Sequence, residues 1–383
     1  MPQKKLAKGY TTGTCAQAAT KAAMRMLLTG RKTEQIEVEL PKGKRLQLDI
    51  QDIQMQYQDA TKKCPVSVSC AVKKDSGDDP DITNGVLVYS RVERTDTGEV
   101  ILEGGKGIGR VTKPGLEQPV GGAAINRVPR QMILREVREA CEEIGYDQGI
   151  RVEISIPAGV ELAAKTFNPR LGIEGGLSIL GTSGIVEPMS EQALIDTIRL
   201  EMQVKLAAGK EYLIVTPGNY GLDFLKTAYG IKEQEIVKCS NYIGQTLDMA
   251  VERDCKGLLL VGHVGKLIKV AGGIMNTHSR WADCRMELLA AAALRAGIPG
   301  DKACELLECV TTDDALEKCS EEERHRVMEQ IMKQIEKYLN YRTGGQMQAG
   351  AIVFSNVYGI LGKTEAAEDL LKGYFVREEG GAV

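Results

Sequence analysis

The sequence is poor in aromatic residues and has almost no excess of charge, and both shortages limit what the protein can bind. Aromatic residues make up 4% of its 383 residues, with one tryptophan and four phenylalanines, so few rings are available for stacking on nucleic-acid bases. Lysine and arginine number 49 against 52 for aspartate and glutamate, and the formal net charge is −3. Because no basic excess is present to meet a phosphate backbone, no nucleic-acid partner is expected.

Histidine and long apolar runs are also scarce. Three histidines and ten cysteines, without a Cys-x-x-Cys pair, do not have the spacing of a zinc site, so we expect no protein-bound metal. No apolar run approaches the ~18–20 residues that cross a bilayer, and the first ten residues lack the apolar core of a signal peptide. We therefore expect no membrane partner and a cytoplasmic location, with the cysteines as reduced thiols.

The order of predicted elements differs between the two halves of the chain. Residues 1–187 alternate between helical and period-two segments, which predicts a mixed α+β domain, with a hairpin in "IEVELPKGKRLQLDI" around Lys42–Lys44. Residues 188–383 contain short, continuous apolar strands separated by amphipathic helices, which predicts an α/β domain with a mostly parallel sheet. The fold class is therefore α/β and α+β in two domains, and a homo-oligomer remains open.

The first motif, "GYTTGTCAQAATKAA" at residues 9–23, joins a glycine- and threonine-rich loop to a helix of small residues. Thr14 and Gln17 have the spacing of a capping box, so the helix is predicted to begin at Thr14. The hydroxyls of Thr11, Thr12 and Thr14 would then lie at the positive helix end, where a carboxylate or phosphate is favoured. The alternative is an ordinary capped helix packed closely on a sheet.

Two further stretches of the first half carry cations beside glycine or a helix start. "GGKGIGRVTKPG" contains Lys106, Arg110 and Lys113, and its spacing does not match a dinucleotide-binding fingerprint. Arg127 directly precedes the helix predicted for "VPRQMILREVREACEEIGYD", and Arg130 lies near its start. All five are candidate ligands for substrate carboxylates, although a surface hairpin explains the glycine stretch equally well.

The stretch "DSGDDPD" places four aspartates in one predicted loop, of which Asp78 and Asp79 are candidate catalytic groups. Clustered carboxylates can bind a divalent cation, or they can accept hydrogen bonds from the N–H groups of a substrate. Glycine, aspartate and proline are also the usual residues of a solvated turn.

Three segments of the second half carry its candidate residues. The loop "TPGNYG" follows a predicted strand, where α/β sheets bind ligands, and a second such strand ends in "GH". The polar run in "AGGIMNTHSRWAD" precedes a helix predicted to have Arg280 and Asp283 in its first turn, and an ordinary loop with a structural histidine is its alternative. We expect Asn276 to bind substrate and His278 to act at the reacting centre. The candidate cofactor-binding residues are Pro217, Gly218, Asn219, Gly221, Gly262 and His263.

Taken together and in order, these motifs resemble the cobalt-precorrin-5B (C1)-methyltransferase family, or CbiD family, of anaerobic cobalamin (vitamin B12) biosynthesis. The resemblance covers about residues 6–375 and includes "NPRLGIEGGLSILGTSGIVEPMS" and "GHVGKLIKVAGGIMNTHSRWADCRMELLAAAA". The one departure is Ser76, where alanine is expected.

The resemblance implies transfer of a methyl group from S-adenosylmethionine to ring carbon C1 of a cobalt-containing tetrapyrrole, giving cobalt-precorrin-6A. The cobalt would enter with the substrate. A rim of acetate and propionate groups on such a ring would need several anion sites, which agrees with the candidate cations in the first half.

Two alternatives stay open at this point. The stretches "GTCAQAA" and "GKGIG" are similar to the phosphate loops of small-molecule kinases of the galactokinase–homoserine kinase type, with Asp78 or Asp79 on magnesium. A corrinoid-binding protein without turnover is the non-enzymatic alternative.

Overall fold

The computed structural model describes residues 6–58 and 64–380, except for the side chains of residues 376–380. The chain divides into two compact units, Met1–Glu191 and Gln192–Val383. No helix among the described residues is long and apolar enough to cross a membrane.

The first unit contains eleven strands and three α-helices in its described part. In chain order they are β1 (Gly9–Tyr10), α1 (Thr12–Thr29), β2 (Gln35–Glu39), β3 (Arg45–Asp49), β4 (Gln51–Gln56), β5 (Ser67–Lys73), β6 (Leu87–Thr95), β7 (Val100–Gly104), β8 (Arg110–Val111), α2 (Arg127–Ile144), β9 (Gly149–Ser155), α3 (Gly159–Leu162), β10 (Ile173–Glu174) and β11 (Ile185–Val186).

A five-stranded sheet of order β4-β5-β6-β9-β7 forms the centre of this unit. Its neighbours pair antiparallel except β7 and β9, and β2 and β3 form the predicted hairpin. The helix α1 packs on β5, β6 and α2 through small, fully buried side chains such as Ala16 and Ala19. Small side chains let the helix backbone approach the sheet, so that the Cys70 thiol lies 3.2 Å from the Ala19 carbonyl oxygen.

The start of α1 differs from the prediction. The helix begins at Thr12, and Thr11 is its N-cap, because the Thr11 hydroxyl accepts the backbone N–H of Thr14 at 3.2 Å. Gln17 forms no capping box, since its amide is turned into the interior and donates to a Glu136 carboxylate oxygen at 2.6 Å. The helix ends at Gly30, which adopts the left-handed conformation with φ of 71°.

The second unit contains nine α-helices and five strands within residues 191–380, counting α4, whose first residue precedes the division. In chain order they are α4 (Glu191–Ala207), β12 (Tyr212–Thr216), α5 (Asn219–Tyr229), β13 (Ile236–Lys238), α6 (Ile243–Val251), β14 (Gly257–His263), α7 (Val264–Leu267), α8 (Arg285–Arg295), α9 (Gly300–Leu307), α10 (Thr312–Glu317), α11 (Glu321–Thr343), β15 (Gln348–Ser355), β16 (Gly359–Lys363) and α12 (Ala366–Gly380).

These strands form one sheet of order β13-β12-β14-β15-β16, parallel except for the edge strand β16. The expected mostly parallel sheet is therefore confirmed, with β12, β14 and β15 as its adjacent central strands. Helices cover both faces, which explains why β14 is buried along nearly its whole length and has a continuous apolar sequence.

The helix after the polar run starts later than predicted. It begins at Arg285, and Arg280 and Asp283 lie before it in a loop. Cys284 has a positive φ of 57°, which breaks the helical path, and the Asp283 carboxylate is paired with the Arg285 guanidinium at 2.5 Å.

Candidate functional site

The N-terminal end of α1 is closed by the chain itself. Thr12 Oγ1 accepts the N–H of Leu180 at 3.0 Å, and Thr14 Oγ1 donates to the Gly184 carbonyl oxygen at 2.7 Å. The N–H of Gly13 donates to the Leu180 carbonyl oxygen at 3.0 Å. All three threonines are buried: the Thr11 hydroxyl caps the helix, and those of Thr12 and Thr14 hold the loop of residues 178–184 instead of opening toward a ligand. The geometry therefore disagrees with a carboxylate site at Thr11, Thr12 and Thr14.

The aspartate loop is likewise built on internal contacts. Asp78 accepts the N–H of Ala7 at 2.7 Å, and Asp79 accepts the N–H of Met189 at 3.0 Å. Lys74, which is 3% exposed, donates to Asp81 at 2.6 Å. Burial would raise the pKa of the Asp81 carboxyl, but hydrogen bonds from Lys74 and Thr83 outweigh it and lower the pKa. Asp78 and Asp79 thus anchor neighbouring backbone, and each retains a second carboxylate oxygen.

The glycine stretch at residues 104–109 is packed against other backbone. Gly107 has a φ of 77°, and a Cβ there would lie 1.8 Å from the Ile156 carbonyl oxygen. A Cβ on Gly176 would meet Gly107 at 2.3 Å. Short bridges also tie Ile108 to Leu177. The glycine stretch, the segment of residues 176–184 and the start of α1 therefore contact one another within the first unit. Glycine permits the closest of these approaches because it has no side chain.

The cations of this region differ in how much of their hydrogen-bonding capacity is used. Arg110 donates to the Gly104 carbonyl oxygen at 2.9 Å, while Lys106 and Lys113 are exposed. Arg127 is exposed at the start of α2. Arg130 is half-buried, its Nε is buried with no hydrogen-bond partner among the described residues, and burial lowers the pKa of its guanidinium. An unpaired, partly buried cation is the feature expected of a residue that meets an anionic ligand.

In the second unit, polar groups gather at the carboxyl edge of the parallel sheet. The loop after β12 contains Gly218, which has extended backbone and is the N-cap of α5 without a side-chain cap. Asn219 accepts a hydrogen bond from Lys238 at 3.3 Å. A Cβ on Gly221 would lie 1.8 Å from Thr216 Oγ1, so packing of α5 on the sheet accounts for this glycine. A Cβ on Gly262 would lie 3.0 Å from the Leu267 side chain, so its packing is similarly close.

His263 ends β14 and is held by its neighbours. Its Nδ1 accepts the N–H of Gly265 at 3.1 Å, so the neutral ring carries its proton on Nε2, which lies 3.7 Å from a carboxylate oxygen of Asp313. The other oxygen of Asp313 accepts a hydrogen bond from Ser355 at 2.7 Å. Burial lowers the pKa of His263, although Asp313 acts in the opposite direction. The ring of Tyr220 lies 6.0 Å from the imidazole.

Lys266, which is not among the residues predicted from the sequence motifs, joins three strand ends at this edge. Its ammonium donates to the Pro217 carbonyl oxygen and to Asn241 Oδ1, each at 3.1 Å. Asn241 also accepts a hydrogen bond from Thr277 at 3.3 Å. The available signal was the position of the lysine, directly after "GHVG" at the end of a predicted central strand.

The polar run ending at His278 is attached to the same edge. Asn276 forms a bridge to Tyr242, and its Oδ1 accepts the N–H of His278 at 3.1 Å. His278 Nδ1 accepts the N–H of Arg280 at 3.0 Å, which leaves Nε2 toward solvent on an exposed side chain. The structure thus brings Asn276 and His278 into one loop with Thr277, next to Asn241.

Within the described residues, no group of three or more histidine, cysteine, aspartate or glutamate side chains is placed to hold a metal ion. The ten cysteines are free thiols, and burial raises the pKa of Cys15 and of Cys239 to about 12. Such thiols stay protonated at neutral pH and are poor nucleophiles or metal ligands.

Comparison with known proteins gives the same family along both units. The CbiD profile matches residues 1–188, and the profile of the CbiD C-terminal domain matches residues 276–365. A cobalt-precorrin-5B C(1)-methyltransferase from Ruminiclostridium cellulolyticum is 49% identical over 92% of this chain and 90% of its own length. One from Alkaliphilus metalliredigens is 44% identical over 98% of this chain and 97% of its own.

A crystal structure of a cobalamin biosynthesis protein (cbiD) from Archaeoglobus fulgidus is 28% identical and covers 72% of this chain and 83% of its own, with a TM-score of 0.39. The assignment rests on the sequence relatives, which match at 40–49% identity over most of the chain. The chain belongs to the CbiD family.

Proposed function

We infer that this chain transfers a methyl group to C1 of cobalt-precorrin-5B in cobalamin biosynthesis, the activity for which its relatives are named. The observation that carries this conclusion is 49% identity to such an enzyme over 92% of the chain, together with matches in both units. No feature of the described residues favours the kinase or the non-enzymatic alternative.

The methyl donor that we propose is S-adenosylmethionine, bound at the carboxyl edge of the sheet in the second unit. Support comes from the loop at Pro217–Gly218, which follows β12, and from His263, which ends the adjacent parallel strand β14. Ligands of α/β proteins bind at this edge because the strand ends and the following helix starts converge there. Gly221 and Gly262 contribute indirectly, by letting α5 and Leu267 pack against the strands.

For the tetrapyrrole we propose that its carboxylates are bound by cations of the first unit. Arg130 is the best supported of these, because its Nε is buried and unpaired within the described chain. Arg127, Lys106 and Lys113 are exposed, and Arg110 uses one N–H group on Gly104 and has others for a ligand. We do not assign a substrate carboxylate to the threonines at the start of α1, since their hydroxyls have internal hydrogen-bond partners.

Catalysis of this reaction depends mainly on positioning the methyl donor and the tetrapyrrole. An electron pair of the ring forms the new bond from C1 to the methyl carbon, the carbon–sulfur bond breaks, and the sulfonium leaves as a neutral thioether. A positively charged donor needs no further activation, so alignment of the two reactants in a site that excludes water supplies most of the catalysis. We propose that His278 orients the ring through its free Nε2 and that Asp78 and Asp79 act only by holding the loop.

The cobalt travels with the substrate, and we propose that the protein itself holds no resident metal. A cytoplasmic location is also proposed, and an assembly of several copies remains open.

The deciding experiment is an assay of the purified chain with cobalt-precorrin-5B and S-adenosylmethionine carrying a deuterated methyl group. Mass spectrometry should find the labelled methyl group in the tetrapyrrole, in equal amount to the S-adenosylhomocysteine formed. Binding of the tetrapyrrole without transfer would support a carrier, and consumption of ATP with magnesium would support a kinase; either result would overturn the inference.

In the same assay, His278→Asn should slow single-turnover transfer while leaving the affinity for the tetrapyrrole and the melting temperature near those of the wild type. A destabilised variant with unchanged turnover would show that the loop is only a scaffold.

A further inference from the structure

The ammonium group of Lys266 lies where three adjacent parallel strands end. Its hydrogen-bond partner Pro217 directly follows β12, its partner Asn241 comes three residues after β13, and the lysine itself comes three residues after β14. These strands are neighbours in the order β13-β12-β14. The ammonium group is therefore at the centre of the edge where ligands of such sheets bind.

This ammonium group has no opposite charge beside it. Both of its acceptors are neutral oxygens, and among the residues that the structure describes no carboxylate pairs with Lys266. Lys269 lies close by in the sequence, is 3% exposed, and donates to the carbonyl oxygens of Thr277 and Ala282 at 3.2 and 2.9 Å. Lys269 also interacts electrostatically with the Asp283 carboxylate, whereas Lys266 has only uncharged acceptors.

The lack of an opposite charge is reflected in the pKa of Lys266. Burial lowers the pKa of its ammonium group, and the charge of Lys269 lowers it further. A partly buried cation without a carboxylate is costly to keep, and an anionic ligand would remove that cost.

There is also open space beside the ammonium group. Apart from residues adjacent in the chain, a Cβ built on Gly218 would meet one atom within 4 Å, the Lys266 Nζ at 3.8 Å. Two of the three N–H groups of the ammonium are used by Pro217 and Asn241, so one remains. Tyr220, which is 65% exposed, comes two residues after Gly218 in the chain.

We propose that Lys266 binds a carboxylate group of one of the two reactants over Gly218, and that Asn241 positions the lysine for this contact. The inference rests on the proposed function, since both reactants carry carboxylates: the amino-acid part of the methyl donor, and the acetate and propionate groups of the tetrapyrrole. Asn241 acts through the lysine, because its Oδ1 accepts hydrogen bonds from both Lys266 and Thr277.

The test compares Lys266→Met with Lys266→Arg by calorimetry, using S-adenosylhomocysteine and cobalt-precorrin-5B as separate ligands. Lys266→Met should weaken binding of one ligand at least ~10-fold, while Lys266→Arg, which keeps the charge, should weaken it much less. The matched control is Lys256→Met, because Lys256 lies just before the opposite end of β14 and pairs with Glu211 on the surface. This control should bind both ligands as the wild type does.

A third ligand identifies which reactant supplies the carboxylate. Methylthioadenosine lacks the amino-acid part of the donor, so Lys266→Met should leave its affinity unchanged if the donor carboxylate is bound. A loss confined to cobalt-precorrin-5B would assign the contact to the tetrapyrrole instead. If Lys266→Met is not folded, as judged by its melting curve, Lys266→Gln replaces it and keeps a donor for Pro217 and Asn241.

Wild-type turnover separates failure of this inference from failure of the proposed function. If the wild type transfers the methyl group but a folded, uncharged variant binds both reactants with unchanged affinity, the inference alone is wrong. If the wild type neither binds the donor nor transfers the methyl group, the proposed function is wrong.

Discussion

The two units use similar sequence features for different ends. Around α1, polar side chains have internal hydrogen-bond partners and glycines lie in close contact with other backbone. Thr14 donates to the carbonyl oxygen of Gly184, and Gly107 packs against Ile156. At the carboxyl edge of the second sheet, Lys266 lacks an ionic partner and Gly218 faces open space. A glycine-rich polar loop therefore indicates a ligand site only where its polar groups remain unpaired and its glycines leave room.

Among the variants that test this comparison, the largest loss of stability is expected for a substitution of Asp81. Asp81→Ala would leave the buried Lys74 without its ion-pair partner and should lower the free energy of unfolding by ~3–5 kcal/mol, measured by urea denaturation. The pKa of Asp81 is held below its ordinary value of 3.8, so this contribution is present above that pH and is lost as the pH falls through the lower, folded-state pKa.

The control for Asp81 is a double variant, Lys74→Met with Asp81→Leu, which removes both charges and should recover part of the loss. If Asp81→Ala is as stable as the wild type at pH 7, the aspartate loop is not anchored by this pair, and its carboxylates become available again as candidate ligands.

A smaller loss of stability is expected when glycines of the first unit are replaced by alanine. Gly107 and Gly43 share a φ of 77°, but a Cβ on Gly43 would meet nothing within 4 Å. Gly43→Ala should therefore cost only the left-handed conformation, ~1–2 kcal/mol. Gly107→Ala should cost ~1–3 kcal/mol more, because the methyl group overlaps the Ile156 carbonyl. Equal melting temperatures for the two variants would show that close packing does not explain the glycine motif.

At the start of α1, Thr12→Val and Thr14→Val should each lower stability by ~1–3 kcal/mol, because each leaves buried polar groups without partners. The affinity of the folded protein for the tetrapyrrole should not change. Thr29→Val, at the exposed end of the same helix, is the control and should have little effect. Unchanged stability with weakened tetrapyrrole binding would instead restore the helix end as a carboxylate site.

The smallest effect on stability is expected in the second unit, at Gly218. Gly218→Val fits the open space and the extended backbone, so the melting temperature should stay near that of the wild type. The dissociation constant for S-adenosylhomocysteine should rise ~10-fold, or about 1.4 kcal/mol, because the side chain occupies the proposed donor space. Gly300→Val, at an equally open position that starts α9, should leave it unchanged. Unchanged donor affinity in Gly218→Val would place the donor elsewhere.

Much of the fold followed from local patterns in the sequence. The parallel strands were predicted because continuous apolar runs alternate with helices, and the hairpin of β2 and β3 because both strands have period two around a lysine- and glycine-containing turn. The predicted starts of the helices were less accurate. Thr11 and Thr14 both fit an N-cap, and only the contact with Gly184 decides which one takes that role.

The candidate site was harder to predict, because its key property is the absence of a partner. The sequence shows that Lys266 and Lys74 are lysines near turns, but not that one meets Asp81 and the other meets only neutral oxygens. Pairing of this kind depends on residues far apart in the chain, such as Asn241 and Thr277, and no local pattern encodes it.

The strand order of the second sheet also affects how the protein is made. Gly257 at the start of β14 pairs with Gln348 at the start of β15, so the central strand stays unpaired on that side until residues near 355 have been synthesised. Until then a leucine-rich strand with an open edge is exposed on the nascent chain, and such edges promote aggregation. A chaperone that covers this segment until β15 has been synthesised should therefore raise the yield of active protein.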